Sequence, residues 1–125
     1  MEDFKSFIYS KCIDFSVRII RLYKYLIEDK HEYVMSKQLL RSGTSIGANL
    51  AEAQYAVSKK DFLSKTYISL KETSETMYWL EVLLRTEYLS EIEFQSINKD
   101  CEELKRLFMS ITKNVKQPKE TTPNS

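Results

Sequence analysis

The chain has 125 residues, 42% hydrophobic and 30% charged, with only two glycines and two prolines. That is enough for one ordinary domain and too short for two, and the scarcity of turn-formers suits long helices rather than strands. Nineteen basic against eighteen acidic residues give a formal charge of +1, so bulk electrostatics drives it onto neither nucleic acid nor a membrane.

The first element is predicted over Asp3 to Glu28. Phe4, Ile8, Cys12, Phe15, Ile19, Leu22 and Leu26 recur at steps of four, four, three, four, three and four residues, the spacing of one helical face. Phe7, Val17, Ile20, Tyr23 and Ile27 widen that face beyond what one neighbouring helix covers. The N-terminal segment carries Lys11 and Asp14 where a secretory signal needs an apolar core, and no run of eighteen apolar residues occurs. The expected location is therefore the cytoplasm. Cys12 and Cys101 both fall on apolar helical positions and read as buried free thiols.

After a polar turn at 28–32, a second helix is expected over Tyr33 to Val57, with Leu39, Gly43, Ile46, Leu50, Ala53 and Val57 as its seam. Gly43 and Gly47 inside it cost about 1 kcal/mol each relative to alanine, which points to close approach of another helix, within the chain or between chains. Large side chains at either glycine are expected to disturb assembly more than loss of any surface lysine. Arg41, Asn49 and Glu52 exclude a membrane setting for this glycine pair.

Ser58 and Asp61 form a capping-box start for helix three. Leu63, Thr66, Leu70, Thr73, Met77, Leu80 and Leu84 are its expected seam, flanked by Phe62, Tyr67, Ile68, Tyr78, Trp79 and Leu83. Ser90 and Glu93 repeat the start signal, with Leu89 and Phe94 as a hydrophobic staple. Helix four then carries Phe94, Ile97, Cys101, Leu104, Phe108, Ile111 and Val115. The domain is expected over residues 1–116, with a polar, proline-bearing and disordered tail at 117–125. Short connections between helices of this length predict an all-α, antiparallel up-down-up-down four-helix bundle.

Sites for chemistry are scarce. The one histidine, His31, lies in a predicted turn, which excludes a Ser/His or Cys/His pair and a di-iron bundle site. No Cys-x-x-Cys, phosphate loop or nucleophile elbow is present. No catalytic residue, metal or cofactor is expected, and the chain reads as a non-enzyme. The notable polar group is Arg41, Ser45, Asn49 and Glu52 on one face of helix two, facing Lys71 and Glu75 on helix three. Equal distances from the Ser58 turn put Arg41 near Glu75. The group reads as an interface network that fixes register and subunit contacts, because a carboxylate beside a guanidinium is a poor base. Lys11, Arg18 and Arg21 on helix one, with Lys59, Lys60 and Lys65 at the start of helix three, are the candidate nucleic-acid contacts. Lys99, Lys105, Arg106, Lys113 and Lys116 decorate helix four, and interleaved acids make all of these read mainly as solvated faces.

The run from Arg41 to Gln54 (RSGTSIGANLAEAQ), with Ser58, Asp61-Phe62 and the run from Leu70 to Leu80, resembles the 23S rRNA-intervening sequence proteins. The Ala-Glu-Ala-Gln at 51–54 matches one branch of that family, where others carry Ala-Glu-Gly. The resemblance implies a homopentameric ring of antiparallel bundles, which would cover the wide apolar arcs. Its relatives include accessory proteins of diversity-generating retroelements, implicated in binding a reverse transcriptase and nucleic acid. The expected function is a homo-oligomeric scaffold binding structured RNA, or a protein that handles nucleic acid, through repeated basic surfaces. The alternative is a protein-interaction adaptor that uses exposed aromatics such as Tyr9, Tyr25, Tyr55 or Tyr67 and binds no nucleic acid.

Overall fold

Four helices and no strand make up the computed structural model, which describes residues 2–114. They are α1 (Glu2–Glu28), α2 (Met35–Ala53), α3 (Lys59–Arg85) and α4 (Glu91–Asn114). The Phe4 side chain, Val115, Lys116 and the tail at 117–125 lie outside the described residues.

One core joins all four helices. Ile8, Cys12, Phe15, Ile19 and Leu26 of α1 meet Leu39, Ile46 and Leu50 of α2, Leu80 and Leu83 of α3, and Ile97, Cys101, Leu104 and Phe108 of α4. The helices touch around a cycle, α1 to α2, α2 to α3, α3 to α4 and α4 to α1. Ile19 and Cys12 face Gly43 and Gly47, Thr76 and Ser69 face Ser42 and Ile46, and Lys11 and Arg18 face Glu103 and Asp100.

Helix α2 is shorter than the expected Tyr33 to Val57. At its start, Glu32 is 7% exposed and its carboxylate accepts from the amides of Val34 (3.0 Å), Met35 (3.0 Å) and Ser36 (2.7 Å). Three of the amides that a helix start leaves unpaired are satisfied from outside the helix, so Tyr33 and Val34 stay in the turn. At its end, Ala53 is the last helical residue, and Tyr55 and Ala56 amides fold back onto the Glu52 and Ala53 carbonyls. Val57 is therefore not in the seam: it is 92% exposed in the turn before α3.

The caps of α3 and α4 form where expected. The Asp61 amide donates to Ser58 Oγ at 3.0 Å. Ser90 and Glu93 exchange a reciprocal pair, Glu93 N to Ser90 Oγ at 3.1 Å and Ser90 N to Glu93 Oε1 at 2.9 Å. Leu89 is buried and Phe94 packs against the core beside it.

The inner face of α3 differs from the expected seam. Leu63, Thr66, Ser69, Thr73, Thr76, Leu80 and Leu83 are buried, while Leu70, Met77 and Leu84 are half-buried at the flank. Hydroxyl residues fill the middle of this face, and two of them bond across to α2. Ser69 Oγ donates to the Ile46 carbonyl at 2.8 Å and Thr76 Oγ1 to Ser42 Oγ at 2.9 Å. Thr73 donates to its own helix, to the Ser69 carbonyl at 2.8 Å. Among the described residues no buried side-chain polar atom lacks a partner, so these hydroxyls are buried without the 1–3 kcal/mol or so that an unpaired one costs.

The close approach inferred from Gly43 and Gly47 is within the chain, between α1 and α2. A Cβ on Gly43 would lie 2.7 Å from Ile19 Cγ1, and one on Gly47 3.0 Å from Cys12 Cβ.

Candidate functional site

The polar face of α2 and α3 is built from residues one helical turn apart, so a single cross-helix pair aligns a row. Arg41 lies between two carboxylates of α3: Nη2 pairs with Glu75 Oε2, and Nη1 reaches Glu72 Oε1 at 3.3 Å. Glu75 Oε2 also accepts from Trp79 Nε1 at 3.0 Å, and the Trp79 ring meets Tyr78 edge-on at 4.9 Å. Further along, Lys65 Nζ pairs with Glu52 Oε1 at 2.8 Å.

Ser45 and Asn49 share the face but bond within α2, Ser45 Oγ to the Arg41 carbonyl at 2.6 Å and Asn49 Nδ2 to the Ser45 carbonyl at 2.9 Å. Lys71 does not join the row. It is exposed, since one residue from Glu72 is a turn of about 100° on a helix, and among the described residues it forms no ion pair with Glu75. Glu72 and Trp79 were missed in the sequence although both lie on Glu75's face, at the i−3 and i+4 positions.

The row holds charge without preparing it for chemistry. The Arg41 guanidinium and the Trp79 indole N–H hold the Glu75 carboxyl below its ordinary range, while Glu75 raises Arg41. A carboxylate held ionised in this way is a weak proton acceptor near neutral pH. Because Glu75 is depressed in the folded chain, its stabilisation is present above the unfolded carboxyl pKa and is lost as pH falls through the folded value. Glu75→Gln is therefore expected to flatten the acid limb of the stability–pH curve while costing about 1 kcal/mol or less near neutrality, the scale of a solvent-exposed pair. Urea unfolding of both proteins across pH 2–7 checks this, and parallel curves would contradict it.

The candidate nucleic-acid residues divide into paired and open ones. Lys11 pairs with Glu103 at 3.1 Å, and Arg18 with Asp100 at 2.7 Å and with the Ser96 carbonyl and hydroxyl. Lys65 is held by Glu52, which raises its pKa. Arg21, Lys59 and Lys60 are exposed. Arg21 lines an apolar groove of about 490 Å³ between α1 and α4, with Leu22, Tyr25, Leu89 and Ile97.

Both thiols are buried, and burial pushes each up to about 12. They are packed as core, the Cys101 thiol 3.6 Å from the Thr73 carbonyl. His31 is in the α1–α2 turn beside the Tyr33 hydroxyl at 3.0 Å. Among the described residues no three His, Cys, Asp or Glu side chains gather as a metal-binding group, and no helix is long and apolar enough to cross a membrane.

The family model of the 23S rRNA-intervening sequence proteins matches residues 5–110, a span that takes in parts of all four helices. The chain belongs to this family. A crystal structure of a protein of unknown function from the S23 ribosomal protein family of Bacteroides thetaiotaomicron VPI-5482 is similar at a TM-score of 0.87. The two chains are 51% identical, over 88% of this chain and 98% of that one. No curated protein matches. Membership therefore brings a fold and a family name, while the row of Arg41, Glu72 and Glu75 and the open cations are features of this chain's own geometry.

Proposed function

We propose that the chain is a non-enzymatic homo-oligomeric scaffold, an antiparallel up-down-up-down four-helix bundle acting in the cytoplasm, whose assembled copies present repeated cations to structured RNA or to a protein that handles it. The observation that carries the self-assembly is the outer side of α1. Tyr9, Ile13, Val17 and Ile20 are 38%, 46%, 40% and 40% exposed on one stripe, and large contiguous apolar surface of this kind marks a binding face. Repetition supports the nucleic-acid part, since weak phosphate contacts made by Arg21, Lys59 and Lys60 multiply when copies are joined. The family resemblance implies five copies in a ring.

A second reading, a protein-interaction adaptor without nucleic acid, draws on Tyr55, 85% exposed in the α2–α3 turn, and on Tyr67. Light scattering on the eluting protein tests the scaffold: a mass of several copies supports it and a single copy overturns it. RNA binding that falls steeply between low and moderate salt supports the nucleic-acid part, and no binding at low salt favours the adaptor.

A further inference from the structure

Helices α3 and α4 bound a groove of about 710 Å³. Its floor is apolar, Leu70 and Met109, with the Tyr67 ring on the α3 bank. Tyr67 and Met109 are 49% and 50% exposed, so this surface is open rather than packed as core. The charge in the groove is of one sign. Arg106 and Lys113 line it and no carboxylate does. Among the described residues neither cation forms an ion pair, and Glu102 precedes Arg106 by one turn without pairing to it. Lys71, exposed and one turn on from Tyr67, adds a third open cation on the α3 side. The α1 side of α4 is mixed in charge: Glu93 shares a groove with Arg18 and Arg21, and Asp14, Asp100 and Glu103 surround Lys11.

The α4 bank has a helical spacing of its own. Arg106, Met109, Ser110 and Lys113 follow at steps of three, one and three residues, which puts them on one face. The two cations are two turns apart, about 10.5 Å at 1.5 Å per residue. A second helix laid along the groove rises at the same rate. Carboxylates seven residues apart on it stand over Arg106 and Lys113 together, and the side chains three and four places on from the first carboxylate enter between Tyr67 and Met109.

We infer that this groove docks an acidic amphipathic helix of a partner protein, its apolar side chains on the Leu70 and Met109 floor and its carboxylates on Arg106, Lys113 and Lys71. The inference rests on the reading that the chain serves a protein partner, and adds the surface and the chemistry of that partner. Apolar anchors spaced by three and four residues, entering a groove, are a recurrent mode of helix recognition. The charge on the banks supplies the selection, since a basic helix of the same shape is repelled. Nucleic acid fits this surface less well. A single strand uses successive aromatic planes for stacking, whereas among the described residues Tyr67 is the one aromatic in the lining. A duplex held by its phosphates leaves the leucine and methionine floor uncovered.

The test measures fluorescence anisotropy of a labelled synthetic peptide of about 20 residues, long enough to be helical. Glutamate recurs in it every seven residues, with leucine three and four places on from each. The expected result is binding that weakens about tenfold or more in the double variant Arg106→Glu with Lys113→Glu and is lost in Met109→Glu. A peptide with lysine for glutamate should bind that double variant and not the natural chain, which a merely damaged groove would not do. The same charge change at Lys24 and Lys37, exposed on α1 and α2, should leave binding unchanged. No binding of the acidic peptide, or equal binding of an acidic peptide without leucine, overturns the inference. So does a single-stranded RNA that binds the natural chain more tightly than the peptide and is released by the same double variant, which would give these cations to phosphate. Light scattering on the variants supplies the remaining arm: a fall in assembly mass places the groove between copies and overturns the inference. If the peptide fails while the natural chain still shows a mass of several copies, the scaffold reading stands without this groove.

Discussion

Gly43→Leu is expected to destabilise the fold by about 3 kcal/mol or more, a fall in melting temperature on the order of 10 °C or more. A Cβ alone would lie 2.7, 2.9 and 3.0 Å from Cγ1, Cγ2 and Cδ1 of Ile19. Ile19 is 0% exposed and branched at Cβ, so it has little freedom to swing aside. Gly43→Ala separates the two opposing effects. Alanine gains about 1 kcal/mol of helix propensity, whereas overpacking costs about 1–3 kcal/mol, and the expected balance is a loss. Adding Ile19→Ala removes all three atoms, so the double variant should be less destabilised than the sum of its parts. Thermal melts of the four proteins check this, and simple additivity would show that the helices part freely. Gly47 is held differently. Its missing Cβ would face Cys12 Cβ, an atom fixed to the α1 backbone, so relief there requires the helices themselves to separate.

The second large effect is expected at Ser69. Ser69→Leu should cost about 2–4 kcal/mol, combining overpacking at a fully buried position with loss of the hydrogen bond to the Ile46 carbonyl. Leu70→Ala, one residue on and half-buried, should cost distinctly less than the roughly 2–5 kcal/mol of a core leucine. Leu80→Ala, at 0% exposure, should fall within that range. Chemical denaturation of the three variants ranks them, and a greater loss from Leu70→Ala than from Ser69→Leu would contradict the inner face described for α3.

These two positions also show how far the sequence could be read. Helix existence, the Ser58 and Ser90 starts, and the core positions of α1 and α4 were legible because apolar spacing and capping residues are local signals. Apolar spacing misled on α3. It favoured Leu70 and Met77, but the buried side chains in the middle of α3 are Ser69, Thr73 and Thr76, and the Ser69 and Thr76 hydroxyls bond the Ile46 carbonyl and the Ser42 hydroxyl of α2. It misled again at Val57, where the apolar repeat continues past the point at which Ala53 ends the helix. The late start at the other end of α2 escaped notice because Glu32, rather than a serine or aspartate next to the helix, supplies the cap.

At the candidate site, counting outward from the Ser58 turn brought Arg41 to Glu75, because two helices joined by a short turn must pair at nearly equal distances from it. Lys71 was placed in the row on its four-residue spacing to Glu75, whereas the helix turns it to solvent and puts Glu72 there instead.

What the sequence by itself determined is the helical class, the helix starts, the glycine-bearing motif that carries the family resemblance and the scarcity of catalytic groups. These depend on residue type and near neighbours along the chain. Only the tertiary structure decided which helix the glycines admit, which face of α3 is inside and which cations are already paired with carboxylates. Each of those depends on the rotation and distance of one helix against another, and packing across the core sets both.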